Sequence, residues 1–234
     1  MHHVVLDRWS RGASPLHRRD PRAKIVALGV FLIVLATAHR ALPQVSAVLL
    51  ALLIGALLWA RLPVRAALTR AAVVLPFTLM FALASWMAGE GGRGAALVIK
   101  SYLSALAVLL VVSSTPLAML LRGAEMLGAP RFLLMVAQFL YRYLFVISEE
   151  AQHMRAAANS RGGIRFRAAA GALAVLFARS YARAEEIHRA MLSRGFEGRF
   201  HPLVAPRFGA ADGAFLLIAL TLPVLLRTAL ERAA

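Results

Sequence analysis

The sequence predicts an all-α membrane protein of about five transmembrane helices, with three further helices inserted on one side before the last span. Three observations predict it. The 234 residues are 60% hydrophobic with a mean hydropathy of +0.70, whereas soluble domains are roughly 45–50% apolar. Several apolar runs come close to the roughly 20 residues that cross a hydrocarbon core of about 30 Å. None of them alternates apolar and polar residues as a barrel strand must.

The elements follow in order. Residues 1–24 form a polar segment carrying Arg8, Arg11, Arg18, Arg19, Arg22 and Lys24. It does not read as a signal peptide, because no small-residue cleavage site follows a short apolar run. Asp20, just before Pro21, is placed to cap the first helix. Residues 25–112 hold four spans. The first, Ile25 to Ala38, is joined to the second, Gln44 to Ala60, by a short connection. Ala47, Ala51 and Gly55 form a small-residue stripe that either admits another helix closely or reflects the abundance of alanine. Arg61, Arg65 and Arg70 are expected in the next turn. The third run, Ala71 to Ala88, contains Pro76 as a kink; after Gly89 to Gly94 the fourth runs from Ala95 to Val112. Residues 210–234 provide the last span, Ala210 to Leu226, and the carboxyl end.

Charge sets the orientation. Lys and Arg number 27 against 11 acidic residues, a balance that in a soluble protein would suggest nucleic acid. On a membrane protein it marks the cytoplasmic side first and anionic lipid second. The basic residues fall as 6 in 1–24, 1 near residue 40, 3 in 61–70, 2 in 89–100, 13 in 113–209 and 2 at the end. With a cytoplasmic amino terminus, 22 lie inside and 5 outside. Without the long segment, where the rule is weak, 9 against 5 gives the same answer.

Residues 113–209 form the distinctive segment. Ser113, Ser114 and Thr115 before Pro116 predict a hydroxyl-capped helix start, ending near Gly128. Pro130 opens a long helix through Phe139 and Ile147 to Gly162. A third runs from about Phe166 to Gly195. Both are amphipathic and too charged at their far ends for simple spans, although Phe132 to Ile147 alternatively reads as a sixth span. Each long helix closes on the same pattern: Ala157-Ala-Asn-Ser160-Arg161-Gly162 is echoed 33 positions later by Ala190-Met-Leu-Ser193-Arg194-Gly195. Glycine at the position after the cap supplies a left-handed backbone. An arginine in the last turn meets the negative end of the helix dipole. Two such tips resemble matched plugs for a carboxylate- or carbonyl-lined groove.

The inventory otherwise points away from catalysis and from a resident cofactor. There is no cysteine, so no disulfide or thiolate site. The only lysines, Lys24 and Lys100, lie outside any phosphate-binding Gly-rich loop. Metal-binding helix motifs are absent, and the histidines are scattered: His2 and His3 at the terminus, His17 in the amino-terminal segment, His153 and His188 on the basic helices. Glu149-Glu150 and Glu185-Glu186 are placed to pair with arginines one turn away.

The twin motifs resemble the paired Ala-Arg-Gly-type motifs of the transmembrane T components of energy-coupling factor (ECF) transporters. The second, continuing Phe196-Glu197-Gly198, is similar to the cobalt-type (CbiQ) branch. Ser14-Pro-Leu-His-Arg-Arg-Asp-Pro-Arg-Ala-Lys24 resembles that family's motif before the first span. The chain departs from many relatives in carrying Ser160 and Ser193 where they have alanine, and its first copy continues Gly-Gly rather than Gly-aromatic. The resemblance implies four spans, a three-helix cytoplasmic coupling domain over 113–209 and a final span. It also implies two ATPase subunits (CbiO-like), each taking one arginine-tipped helix. A substrate-binding membrane subunit (CbiM-like) with a small CbiN-like subunit would handle cobalt.

Readings of another class remain as alternatives. A membrane enzyme needs clustered carboxylates or a nucleophile with a base, and Asp7, Asp20 and Asp212 are far apart in sequence. A self-sufficient ion carrier would need acidic residues in its spans, which are nearly free of them. A nickel or vitamin importer would use the same coupling parts.

Overall fold

A computed structural model describes residues 9–10, 12–38, 42–160, 166–196, 198 and 208–233. Among them there are helices and turns but no strand, as the sequence predicts. The helices are α1 (Pro21–Thr37), α2 (Leu42–Trp59), α3 (Val64–Ala71), α4 (Leu75–Met87), α5 (Gly91–Ser113), α6 (Leu117–Met126), α7 (Arg131–Ser160), α8 (Phe166–Ser193) and α9 (Ala210–Ala233). Among the described residues, four stretches are long and apolar enough to cross a membrane: Val64–Met87, Gly91–Ser113, Arg131–Ser160 and Ala210–Arg232; Pro43–Trp59 is a shorter apolar helix.

The chain forms two compact units, Met1–Ala129 with Pro206–Ala234, and Pro130–Ala205. In the first, α5 is central and packs against α1, α2, α3 and α4. Val45, Leu49, Leu53 and Leu57 recur every four residues along α2 and are buried in one core with Phe31, Leu35, Leu103, Leu106 and Leu110. Phe77, Met80, Trp86 and Met87 of α4 are exposed, as expected of a surface that lipid covers.

Polar ties fix the helix directions. At one end Lys24 of α1 donates to Ser114 O just past α5 (3.0 Å), and the Asp20 N–H to Asp212 Oδ1 in the first turn of α9 (3.1 Å). At the other end Arg227 of α9 donates to Thr37 O (2.7 Å) and Lys100 of α5 to Ala36 O (2.7 Å). Thus α1 and α9 run one way and α5 returns.

Several local expectations change. The turn after α2 is only Ala60 to Pro63, and Arg65 and Arg70 already lie on α3. A three-residue tight helical segment, Ala72–Val74, then leads into α4 with Pro76 in its first turn. Proline therefore sits where its missing N–H costs least. The stripe Ala47, Ala51, Gly55 is exposed, opposite the buried face of α2, and does not mediate packing within the chain. Thr115 does not cap α6: Pro116 holds that place with no side-chain cap. The hydroxyls are engaged elsewhere, Ser114 Oγ donating back to Val111 O (3.1 Å) and Thr115 Oγ1 accepting from Lys24 (2.6 Å). Finally, α6 belongs to the first unit and packs on α1. Gly123 permits this, since a Cβ there would lie 3.0 Å from Pro21 Cβ.

The second unit consists of α7 and α8. Their packed faces enclose an apolar groove lined by Phe139, Leu140, Tyr143, Leu176 and Ile187, with Glu150 and Arg179 paired across it. At 30 residues α7 is about 45 Å long, well beyond one hydrocarbon core.

Candidate functional site: paired helix tips and an amino-terminal clasp

The tip of α8 is built by its last residues. Gly195 has φ +74°, its N–H bonds Leu192 O (3.0 Å), and the Phe196 N–H reaches back to Met191 O (3.0 Å). This is the Schellman arrangement, in which the residue after the cap must be left-handed. Arg61 holds the same place after α2 at φ +54°, with Leu62 N–H on Leu57 O (3.0 Å), so there a non-glycine residue carries the strain. Arg194 at the α8 cap is exposed, and among the described residues no carboxylate pairs with it. Its nearest basic neighbour up the helix, Arg189, is instead paired with Glu185.

The two copies share a further detail. Ser193 Oγ donates to Ala190 O (3.0 Å), and Ser160 Oγ donates to Ala157 O (3.0 Å). Each hydroxyl is folded onto its own last turn, on the carbonyl of the matched alanine. Serine so bonded presents little more than alanine's bulk. Ala157, Ser160, Ala190, Ser193, Arg194 and Gly195 are all exposed; Arg161 and Gly162 lie outside the described residues.

Chain geometry keeps the tips apart. From Phe166 to Ser193 the α8 axis runs about 40 Å. The six steps from Ser160 to Phe166 can recover at most about 22 Å. Ser160 and Ser193 are therefore no closer than roughly 20 Å.

The amino-terminal motif forms a separate structure. His17 Nε2 lies 2.8 Å from Trp9 O and Nδ1 lies 2.6 Å from Ser14 Oγ; a carbonyl only accepts, so Nε2 carries a proton. Arg70 stacks over the Trp9 ring at 3.9 Å. Asp20 caps α1, accepting the Arg22 N–H at 2.8 Å. Asp212, 192 residues away from Asp20, accepts the N–H groups of Asp20 and Gly209 and lies 3.8 Å from Arg19. Lys24, 2% exposed, completes the clasp against Ser114 and Thr115.

The sequence therefore gives a misleading picture of the aspartates: Asp20 and Asp212 meet. Both are buried; each Asp212 oxygen accepts an N–H group, while Asp20 uses Oδ1 on the Arg22 N–H and its Oδ2 has no hydrogen-bond partner among the described residues. Asp212 had one legible signal, an acid in the first turn of an otherwise apolar span. Lys24 had none beyond its place in the motif. His153 and His188 are exposed, and the described residues bring no three potential metal ligands together. Glu150 pairs across to α8 rather than one turn along its own helix.

Residues 12–203 match the family described as cobalt transport protein, CbiQ. The chain belongs to the CbiQ family. It is 28% identical over 203 residues to the cobalt transport protein CbiQ of Rhodobacter capsulatus, covering 80% of this chain and 82% of that one. It is also 28% identical over 229 residues to the energy-coupling factor transporter transmembrane protein EcfT of Bacillus selenitireducens, covering 83% and 84%. As a CbiQ-family member the chain is a T component of ECF transporters, a multi-pass membrane subunit of a transporter.

Proposed function

We propose that this chain is the non-catalytic coupling subunit of an ECF-type ABC importer for cobalt ions, carried in the bacterial inner membrane with its amino terminus cytoplasmic. Two CbiO-like ATPases hydrolyse ATP and close on each other. Each receives one arginine-tipped helix, Arg161 at the end of α7 and Arg194 at the end of α8. A CbiM-like subunit with a CbiN-like partner binds the ion and reorients when the tips move.

One observation supports this reading: the Ala-x-x-Ser-Arg-Gly pattern recurs at two helix ends, and chain geometry keeps Ser160 and Ser193 roughly 20 Å apart or more. A duplicated plug held roughly 20 Å or more apart matches a partner that is itself a pair. A shift between two states needs contacts that differ between them, and the exposed Arg194 at the end of α8 offers one. The equal identity to a relative named for energy coupling rather than for cobalt supports the second reading. In it the same coupler serves nickel or a vitamin, because cargo is chosen in another subunit.

Co-purification of the tagged chain tests the partners. Two ATPase copies and a separate substrate-binding membrane subunit are expected to elute with it. Uptake of radioactive cobalt and nickel by cells carrying the complex then separates the cargo readings. Normal uptake by the Arg161→Ala/Arg194→Ala double variant, present in the membrane at normal level, would overturn the coupling role.

A further inference from the structure

Within the first unit, α1, α2, α5 and α9 do not close fully on one another. A cleft of about 450 Å³ remains between them, walled by Phe31, Leu53, Leu110, Phe215 and Leu222, with Trp59 at its edge. Its polar lining lies at one end: Arg19, Lys24 and Ser114. From Ala211 to Pro223 the cleft follows α9 for thirteen residues, about 18 Å. That is close to one leaflet of a hydrocarbon core about 30 Å thick.

Two cations, Arg19 and Lys24, line the cleft with no acid among its lining residues; Asp212 and Asp20 lie behind them, Asp212 paired with Arg19 and Asp20 with Arg22, and Asp20 Oδ2 is itself without a hydrogen-bond partner. Lys24 is engaged with Ser114 and Thr115. Arg19 has only a long ion pair to Asp212, at 3.8 Å, and its Nε is buried without a hydrogen-bond partner. A cation short of acceptors thus stands over an apolar slot one leaflet deep.

We propose that this cleft holds one acyl chain of an anionic glycerophospholipid, with the phosphate at Arg19. The basic end suits an anionic headgroup, and the apolar walls running about 18 Å along α9 suit the acyl chain behind it. The volume lies within the range of about 300–1,000 Å³ found for small-molecule sites.

Trp59 makes the site readable. The full chain, carrying Trp9→Phe and Trp86→Phe so that Trp59 alone emits, is reconstituted in vesicles. Phosphatidylglycerol or phosphatidylethanolamine with brominated acyl chains is titrated as quencher against unbrominated lipid. Saturable quenching is expected at low mole fraction, with phosphatidylglycerol about fivefold more effective, one basic contact's contribution. Arg19→Gln should abolish the preference while leaving quenching. Ala219→Phe, which fills the slot from α9, should remove the saturable phase. Quenching that simply follows bulk composition in all three proteins would overturn the proposal. So would identical curves for the two lipids. Quenching lost only when the substrate-binding subunit is reconstituted alongside would assign the cleft to a protein side chain and equally overturn it.

Discussion

Replacing Asp212 should expose how the membrane unit is held together. Its Oδ1 accepts the Asp20 N–H at 3.1 Å, its Oδ2 accepts the Gly209 N–H at 3.0 Å, and Arg19 lies 3.8 Å away. These three contacts are not equal. Gly209 is exposed, so water replaces the lost acceptor at little cost. The Asp20 N–H is buried, and leaving it unpaired costs about 1–3 kcal/mol. The Arg19 pair is partly exposed and long, adding at most about 1 kcal/mol. Asp212→Ala should therefore destabilise by about 1–4 kcal/mol.

Asp212→Asn separates the terms. Its single carbonyl oxygen can keep the Asp20 N–H while the charge is lost, so the expected cost falls to about 1 kcal/mol. Unfolding of the purified protein in mixed micelles with rising dodecyl sulfate, followed by tryptophan emission, gives both numbers. The reasoning fails if alanine costs less than about 0.5 kcal/mol, or if asparagine is as damaging as alanine.

Other expectations follow from the same geometry. Lys24→Met leaves Ser114 O and Thr115 without their donor in a buried place, and should lower the unfolding midpoint by the equivalent of about 2 kcal/mol. Gly123→Val places a branched side chain where a Cβ would meet Pro21 Cβ at 3.0 Å; α6 should detach from α1, read as protease sensitivity near residue 128. Gly195→Ala forces a Cβ into the left-handed region at a cost of about 1 kcal/mol, while Arg61→Gly relieves the same strain after α2 and should not lower stability. In Arg194→Ala the chain should remain in the membrane with an unchanged unfolding midpoint, while ATPase affinity falls by the equivalent of about 2–4 kcal/mol, measured by pull-down across a range of ATPase concentrations.

What the sequence revealed follows from how local each feature is. Helix type and most boundaries were legible, because apolar runs and helix-ending glycines act within one or two turns. The Gly195 cap lies within six residues of every partner it uses, and the sequence pattern anticipates it. Misreadings arose where a hydroxyl or a charge is claimed by a distant residue. Thr115 has the right neighbours for a cap, yet Lys24 takes its oxygen from 91 positions away. Asp20 and Asp212 look unrelated until the bundle brings α1 and α9 together. Arg65 and Arg70 resembled loop residues because the amphipathic α3 hides its helical period behind its charge. No periodicity reveals which face of α2 is outward, so the small-residue stripe could not be assigned.

The clasp and the inserted helices share their attachment points. The insert begins after α6 and ends before α9. Within the membrane unit, α6 is seated on Pro21 through Gly123, and α9 is tied to Asp20 through Asp212. Under the proposed function, a load from the arginine tips would enter the membrane unit through α6 and α9, which meet adjacent residues at the start of α1. A load delivered through either connection reaches the same helix end, which Lys24 in turn fixes to the end of the central α5. If coupling runs through this junction, Asp212→Asn should weaken transport while Arg161 and Arg194 still bind the ATPases at full affinity. An uptake defect with undiminished docking separates a loosened anchor from a broken plug. A loss of docking that accompanies the loss of transport would instead mean that the clasp only keeps the protein folded.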